Sequence, residues 1–220
     1  MKLLMKYPPI PHLLSAPGRG DRILSPSQRQ ALLSTLVIVE EKLDGANVSI
    51  WFEGPETRIA TRGGPDAMDR GGILGRVRQW TYQRIDELRA ALGQDLVLYG
   101  EWLLMRHGIT YTQLPAPLVA FDLLDRDTRS FVPIDRRDAL LKSAGLWAPP
   151  RLFTGRLETA DTARCLIRRS AFGEQDAEGI IIRAIRPNRQ TPRIAKLVRA
   201  DFCQIRGAGA NASENTVLSR

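Results

Sequence analysis

The run Lys42-Leu43-Asp44-Gly45-Ala46-Asn47 sets a lysine and a carboxylate in a turn between two β-like stretches, 36–41 and 48–52. Two chemistries fit it. An Asp-Gly hairpin flanked by β-branched residues would leave Lys42 an ordinary surface cation. A lysine at the mouth of a sheet would instead be a nucleophile, once its surroundings favour the neutral amine over the ammonium that a pKa of ~10.4 dictates at neutral pH. Single charged residues then recur where strands end. Arg62 follows 58–61, Glu101 closes 95–102, Asp122 sits beside Phe121 within 118–124, Glu178 opens 179–183, and Lys196 lies in 193–198. A lone charge on a buried strand is costly without a partner, and convergence of these side chains on one cleft would offset that cost. Each has a plainer alternative, with Glu101 and Glu178 as exposed strand termini and Phe121 as a core ring.

The elements that must hold these residues read as mixed α+β, mostly antiparallel strands with two or three packed helices. Residues 1–35 contain Pro8, Pro9, Pro11, Pro17 and Pro26, which predicts an extended arm over the surface ending in a short helix at 27–34. Ile73, Val77, Trp80, Arg84, Leu88 and Leu92 step by three or four and predict one helix over 73–92, capped by Gly93. Arg62-Gly63-Gly64 allows a sharp turn or a close ligand approach. Asp135 is a candidate cap for a helix running to 146, and Thr159 or Asp161 for one running to 169. The Gly, Ala, Asn and Ser content after Gly207 predicts a frayed tail.

Composition narrows the class. The 220 residues are 43% hydrophobic, enough for one sizeable domain with a small lobe. No apolar run approaches the ~20 residues of a membrane helix, and Lys6 and Pro8 interrupt the start before an export signal can form. Cys165 and Cys203 lack zinc spacing and suit free thiols in a reducing cytoplasm. The net charge is +8 and the pI about 10.1. Arg183, Arg186, Arg189, Arg193, Lys196, Arg199 and Arg206 face a single acid, Asp201, in the same stretch. Such a cluster is a footprint for phosphates, of a nucleotide or a nucleic-acid backbone. An arginine-rich composition drawn from a GC-rich genome would give the same charge.

Five motifs follow one another in order: Lys42-Leu43-Asp44-Gly45 with Asn47, Tyr99-Gly100-Glu101-Trp102, Ala120-Phe121-Asp122-Leu123, Glu178-Gly179-Ile180-Ile181-Ile182-Arg183, and Ala195-Lys196-Leu197-Val198-Arg199. The series resembles that of ATP-dependent RNA ligases of the phage RNA ligase 2 type, within the covalent nucleotidyltransferase superfamily. Lys6-Tyr7-Pro8, Pro11-His12-Leu13 and His107-Gly108-Ile109-Thr110-Tyr111 resemble further stretches of small RNA ligases. The resemblance implies an adenylyltransferase domain over 1–206, of the nucleotidyltransferase (ATP-grasp-like ligase) fold, with mainly antiparallel sheets, packed helices and the arm 1–35. The composition predicts a flexible tail at 207–220, and the 21 residues after Arg199 (220 minus 199) are expected to be too few for an OB domain. Lys42 would take AMP from ATP as a lysyl phosphoramidate, pass it to a 5′-phosphate end, and release it as a 3′-hydroxyl seals the strand.

In that scheme Glu41, Leu43, Asn47, Arg62, Glu101, Phe121, Glu178, Lys196 and Arg199 bind the nucleotide. Phe121 would stack on adenine, and Arg62 and Glu101 would hold the ribose side. Glu178 and Asp122 would hold Mg2+ or Mn2+, and Lys196 would neutralise the α-phosphate. Val198 stands where a second lysine of the last motif is usual, which assigns that charge to Arg199. The implied partner is RNA, as a nicked duplex or broken ends, with strand binding left to the basic surface or a partner protein. A minimal DNA nick ligase is the nearest alternative. A capping guanylyltransferase and a nucleic-acid-binding module with an impaired site are the others.

Overall fold

A computed structural model of the chain describes residues 6–15, 21–61, 72–187, 193–202 and 213–218. The helices are α1 (Pro26–Ser34), α2 (Ile73–Gln83), α3 (Ile85–Leu92), α4 (Ile134–Ser143) and α5 (Ala160–Arg164). The strands are β1 (Val37–Lys42), β2 (Ala46–Glu53), β3 (Glu56–Thr61), β4 (Leu96–Trp102), β5 (Leu118–Asp125), β6 (Ser130–Phe131), β7 (Arg151–Gly155), β8 (Gly179–Ala184) and β9 (Ile194–Val198). The chain divides into two compact units, one of residues 1–7, 44–148 and 205–220, the other of 8–43 and 149–204. Each is built on one antiparallel sheet.

The sheet of the second unit has the order β7-β1-β8-β9. Val37, Val39 and Glu41 pair with Ala184, Ile182 and Ile180, and Ile182 and Ile180 pair in turn with Ala195 and Leu197. Because side chains alternate along a strand and paired residues share a side, these residues make one face. Its aliphatic members are buried together with Leu13, Leu24, Leu32 and Leu33. The other parity puts Ile38, Glu40, Lys42, Ile181, Arg183 and Lys196 on the opposite face. Four leucines of the arm expected over the surface are thus part of the core, and each contributes about 1.5–3 kcal/mol. The arm also covers the edge of β9, where the Lys196 amide donates to the Pro11 carbonyl at 2.9 Å and the Leu13 amide to the Lys196 carbonyl at 2.8 Å. Ser25 and Gln28 close a capping box at the start of α1, with Pro26 in its first turn.

The sheet of the first unit has the order β3-β2-β4-β5-β6. Val48, Ile50, Phe52, Leu98, Trp102, Leu118, Ala120 and Leu123 are packed with Leu74 and Val77 of α2, Leu88 and Leu92 of α3, and Leu141 of α4. The opposite parity carries Asn47, Ser49, Trp51, Tyr99 and Glu101. Within each unit, then, one sheet face is mostly apolar, and the other carries Lys42 and Lys196 in the second unit and Asn47 and Glu101 in the first.

Further expectations change, and the helices expected to run to 146 and 169 end at Ser143 and Arg164. Lys42-Leu43-Asp44-Gly45 does not close a hairpin, because β1 and β2 pair within different sheets. The helix expected over 73–92 breaks at Arg84, whose φ of −124° and ψ of 23° end α2 and start α3. The Arg84 side chain donates to the carbonyls of Ala144 and Gly145, and Asp86 and Glu87 supply the acidic first turn that a new helix start favours. The tail expected to fray is hydrogen-bonded at 213–218, with Asn215 buried.

Gly179 opens β8 directly opposite Lys42 and Val198. A Cβ there would lie 2.1 Å from the Leu197 carbonyl oxygen and 2.8 Å from the Val198 Cα, both rigid backbone. Gly179→Ala must therefore pry β8 from β9. We expect a loss near the top of the ~1–3 kcal/mol range of overpacked cores, read as a lower urea midpoint at constant slope.

Candidate active site

On the polar face of the second unit, the Lys42 ammonium donates to Glu178 Oε2 at 2.7 Å. Both side chains are largely withdrawn from water, at 22% and 9% exposure. The immediate neighbour of the candidate nucleophile is thus an anion, which holds the resting amine as ammonium. Lys196 lies on the same face one strand beyond β8. The combined positive charge has a visible effect. Burial first, then the charges of Lys196 and Lys42, hold the buried His12 imidazole below its ordinary pKa, against the opposing pull of Asp21.

Two residues before Lys42, Glu40 accepts from the Arg183 guanidinium at 2.6 Å, and the two side chains are 1% and 7% exposed. This ion pair anchors β1 to β8 beneath the lysine's own face. Glu41 has the other parity and points to the core side. There its carboxylate accepts from the Ser170 hydroxyl and the Ala171 amide. Burial is the main cause of a raised Glu41 pKa, and those two donors oppose it. Glu41 therefore braces the strand from behind and is not placed beside Lys42 and Glu178. Arg199 gives its amide to the Glu178 carbonyl at 3.0 Å, while its guanidinium donates to Asp201.

The raised Glu41 pKa carries a sign. A carboxyl that holds its proton more tightly when folded stabilises fully below its unfolded pKa, and that contribution is lost as pH rises through the folded value. Glu41→Gln should remove this dependence. The stability difference between wild type and variant, from urea titrations, should shrink as pH is raised from 4.5 and shift in favour of Gln.

In the first unit, Glu101 Oε1 accepts from the Gly45 amide at 3.1 Å. Asn47 pairs directly with Glu101 across β2 and β4. Gly45 is required here, since a Cβ would stand 2.4 Å from the Trp102 carbonyl oxygen. Tyr99 pairs with Asp122 but Gly100 with Ala120, so Phe121 is the extra residue of a β-bulge. The bulge breaks alternation and lets Phe121 and Asp122, adjacent in sequence, serve one face. Both meet Tyr7, whose hydroxyl donates to Asp122 Oδ2 at 2.5 Å and whose ring stands edge-on to Phe121 at 5.0 Å. The Arg137 guanidinium, 1% exposed, fixes the bulge by donating to the Phe121 carbonyl at 2.7 Å. Burial, then Tyr7 and Asp122, push the Tyr99 pKa up to about 12, so this ring stays neutral.

The structure thus brings Lys42 to Glu178, sets Lys196 on their face, and pairs Asn47 with Glu101 and Phe121 with Asp122. Leu43 is buried, and Arg62 lies outside the described residues. Sequence reasoning missed the Glu40–Arg183 pair, although two acids ahead of Lys42 and an arginine closing an isoleucine run were its signal. It also missed the tie between Tyr7 and Asp122, which no local pattern encodes.

The RNA ligase family model matches residues 35–198. Among solved structures the chain is similar to an apo mutant of Naegleria gruberi RNA ligase, with TM-score 0.63 and 13% identity, over 90% of this chain and 56% of that one. A mutant of the same enzyme with AMP and Mn gives 0.62 and 14%, over 90% and 57%. An archaeal ATP-dependent RNA ligase, form 1, gives 0.57 and 26%, over 88% and 48%. The chain therefore spans about half the length of these proteins, and the Naegleria likeness speaks for the fold alone. Among curated proteins none matches. The family match runs from ahead of β1 to the end of β9 and takes in Lys42, Glu101, Phe121, Glu178 and Lys196, and the chain belongs to the RNA ligase family.

Proposed function

We propose that the protein is an ATP-dependent RNA ligase that works through a lysyl-AMP intermediate. The observation that carries this reading is the Lys42–Glu178 pair, withdrawn from water on a sheet face it shares with Lys196, in a chain of the RNA ligase family. Lys42 Nζ, once deprotonated, attacks the α-phosphorus of ATP. A P–N bond forms and the P–O bond to pyrophosphate breaks. A 5′-phosphate oxygen of RNA then takes the AMP, breaking the P–N bond and returning the amine. Finally a 3′-hydroxyl attacks that 5′-phosphorus, forming the phosphodiester and expelling AMP.

Lys196 neutralises charge on the α-phosphate as pyrophosphate departs. Asn47 and Glu101 orient the ribose side together with Arg62, and Phe121 offers a ring to adenine. Val198 leaves the second cation of the last motif to Arg199. Glu178 suits Mg2+ or Mn2+, because these ions take one or two carboxylates and complete their shell with water and phosphate oxygens. Asp122 is the second candidate ligand, at present committed to Tyr7. The chemistry such an ion supplies is neutralisation of phosphate charge. Among the described residues no helix is long and apolar enough to cross a membrane. Repair of broken RNA in the cytoplasm, with a partner protein aiding strand binding, completes the reading.

Incubation with α-labelled ATP and Mg2+ or Mn2+ tests it. Acid-labile label should remain on the polypeptide and move to RNA bearing a 5′-phosphate. Absence of label on the wild type overturns the reading. Nicked duplexes with RNA or DNA at the 3′-hydroxyl side separate an RNA from a DNA ligase, because a protein can sense the 2′-hydroxyl.

A further inference from the structure

We propose that residues 213–218 are a positioning strap for the Lys-Leu-Asp-Gly turn, with Asn215 and Tyr111 as positioning residues for the lysyl-AMP step; the inference rests on the proposed ligase function. The chain of contacts lies within one unit. It starts at Asp44, 1% exposed and two residues beyond Lys42 in the chain. The Asp44 amide donates to the Tyr111 hydroxyl at 2.8 Å, and Asp44 Oδ2 accepts from the amides of Gly108 and Ile109 at 2.6 and 3.0 Å. The turn is therefore hung on the irregular segment between β4 and β5.

That segment cannot hold itself. Leu103, Met105, Ile109, Tyr111 and Leu114 are buried, yet no sheet or helix satisfies their main chain. An unpaired buried amide or carbonyl is penalised, so the partners must come from elsewhere. The Leu103 amide finds the Pro117 carbonyl and the Ile109 amide finds Asp44, and most of the remaining partners come from the strap. Asn215, 5% exposed, accepts the Tyr111 amide on Oδ1 at 2.9 Å and donates from Nδ2 to the Leu103 carbonyl at 2.7 Å. Its own amide donates to the Leu104 carbonyl at 2.8 Å. The Arg106 amide reaches the Ser213 carbonyl, the Thr216 amide reaches the Tyr111 carbonyl, and Leu114 and Leu218 extend the pairing. One buried amide side chain thus fixes both ends of the arc whose middle carries Asp44. Leu103 also presses on Gly45, where a Cβ would come within 2.9 Å of its Cδ2. The strap lies outside the family match, which ends at residue 198, so this control of the turn belongs to the chain's own later residues.

Two variants of the full chain test it. Asn215→Ala removes the strap's grip, and Tyr111→Phe removes only the oxygen that receives the Asp44 amide. Hydrogen–deuterium exchange and the single-turnover rate of label transfer from saturating ATP are read on both. Asp44 should exchange faster in both variants, and Gly108 and Ile109 in Asn215→Ala. Labelling should slow by up to about a hundredfold, the scale of a small misplacement of a reacting group, with the ATP dependence unchanged. A merely structural role would lower the thermal midpoint and leave the rate per folded molecule as it was. Tyr111→Phe labelling at the wild-type rate, or Asp44 exchange unchanged in both variants, overturns the proposal. Should Asn215→Ala not fold, Tyr111→Phe decides alone. Absence of label on the wild type would count against the ligase reading, and the exchange measurement would still decide whether the strap holds the turn.

Discussion

Lys42→Ala is expected to take no label from ATP and to seal no RNA, a loss of about a millionfold or more, as when another covalent nucleophile is removed. The bond to phosphorus is formed by the lysine nitrogen and by no other atom of the site. The variant keeps Glu178, Lys196 and both sheets, so ATP still meets a basic face, but no amine remains to displace pyrophosphate. Lys42→Arg separates charge from nucleophilicity. Its guanidinium restores an ion pair with Glu178 and stays protonated at any working pH. It should fold like the wild type and remain unlabelled. The resting Lys42–Glu178 pair at 2.7 Å gives the wild type a further property. Its labelling rate should rise with pH, because the amine must lose a proton before it can attack. Label that persists on Lys42→Ala would place the nucleophile elsewhere and remove the basis for the ligase reading.

What could be read from sequence follows strand parity. Alternation in β1 and β8 separates Lys42, Glu40 and Arg183 from Val39 and Ile182, and the strands beside Lys42, Glu178 and Lys196 were legible in their β-branched runs. Pairing was not. The Asp-Gly run at 44–45 has every local feature of a hairpin, and only the long-range partners β4 and β8 assign its flanking strands to different sheets. Local periodicity failed at Arg84 for the same reason. The apolar stripe continues through it, and the bonds that end the helix go to Ala144 and Gly145, sixty and more residues on. Composition does not show the pairing of residues 213–218. A small polar stretch looks frayed by itself, yet Asn215 satisfies the buried main chain of residues more than a hundred positions earlier. Glu41, expected among the nucleotide-binding residues, has its side chain turned by parity to Ser170 and Ala171, which no local pattern shows.

Arg183→Met should be the most damaging change for stability outside the nucleophile. Glu40 and Arg183 lie 2.6 Å apart at 1% and 7% exposure, so neither charge is solvated by water to any extent. Removing one member of such a pair costs about 3–5 kcal/mol, whereas replacing both with apolar groups of similar volume is often neutral or better. Set against a whole-protein stability of ~5–15 kcal/mol, the single change is a large fraction. Arg183→Met leaves the Glu40 carboxylate on a buried strand without its guanidinium. Adding Glu40→Leu should recover most of the loss. The transition is followed by circular dichroism, which reads the sheet that carries the pair directly. A double variant no more stable than Arg183→Met would show that the loss comes from side-chain volume. With charge as the cause, the double variant separates two roles of the pair. If the pair only anchors β1 to β8, labelling at Lys42 returns with stability. If the Arg183 charge also aids phosphate binding on the face it shares with Lys196, stability returns and the ATP requirement stays raised.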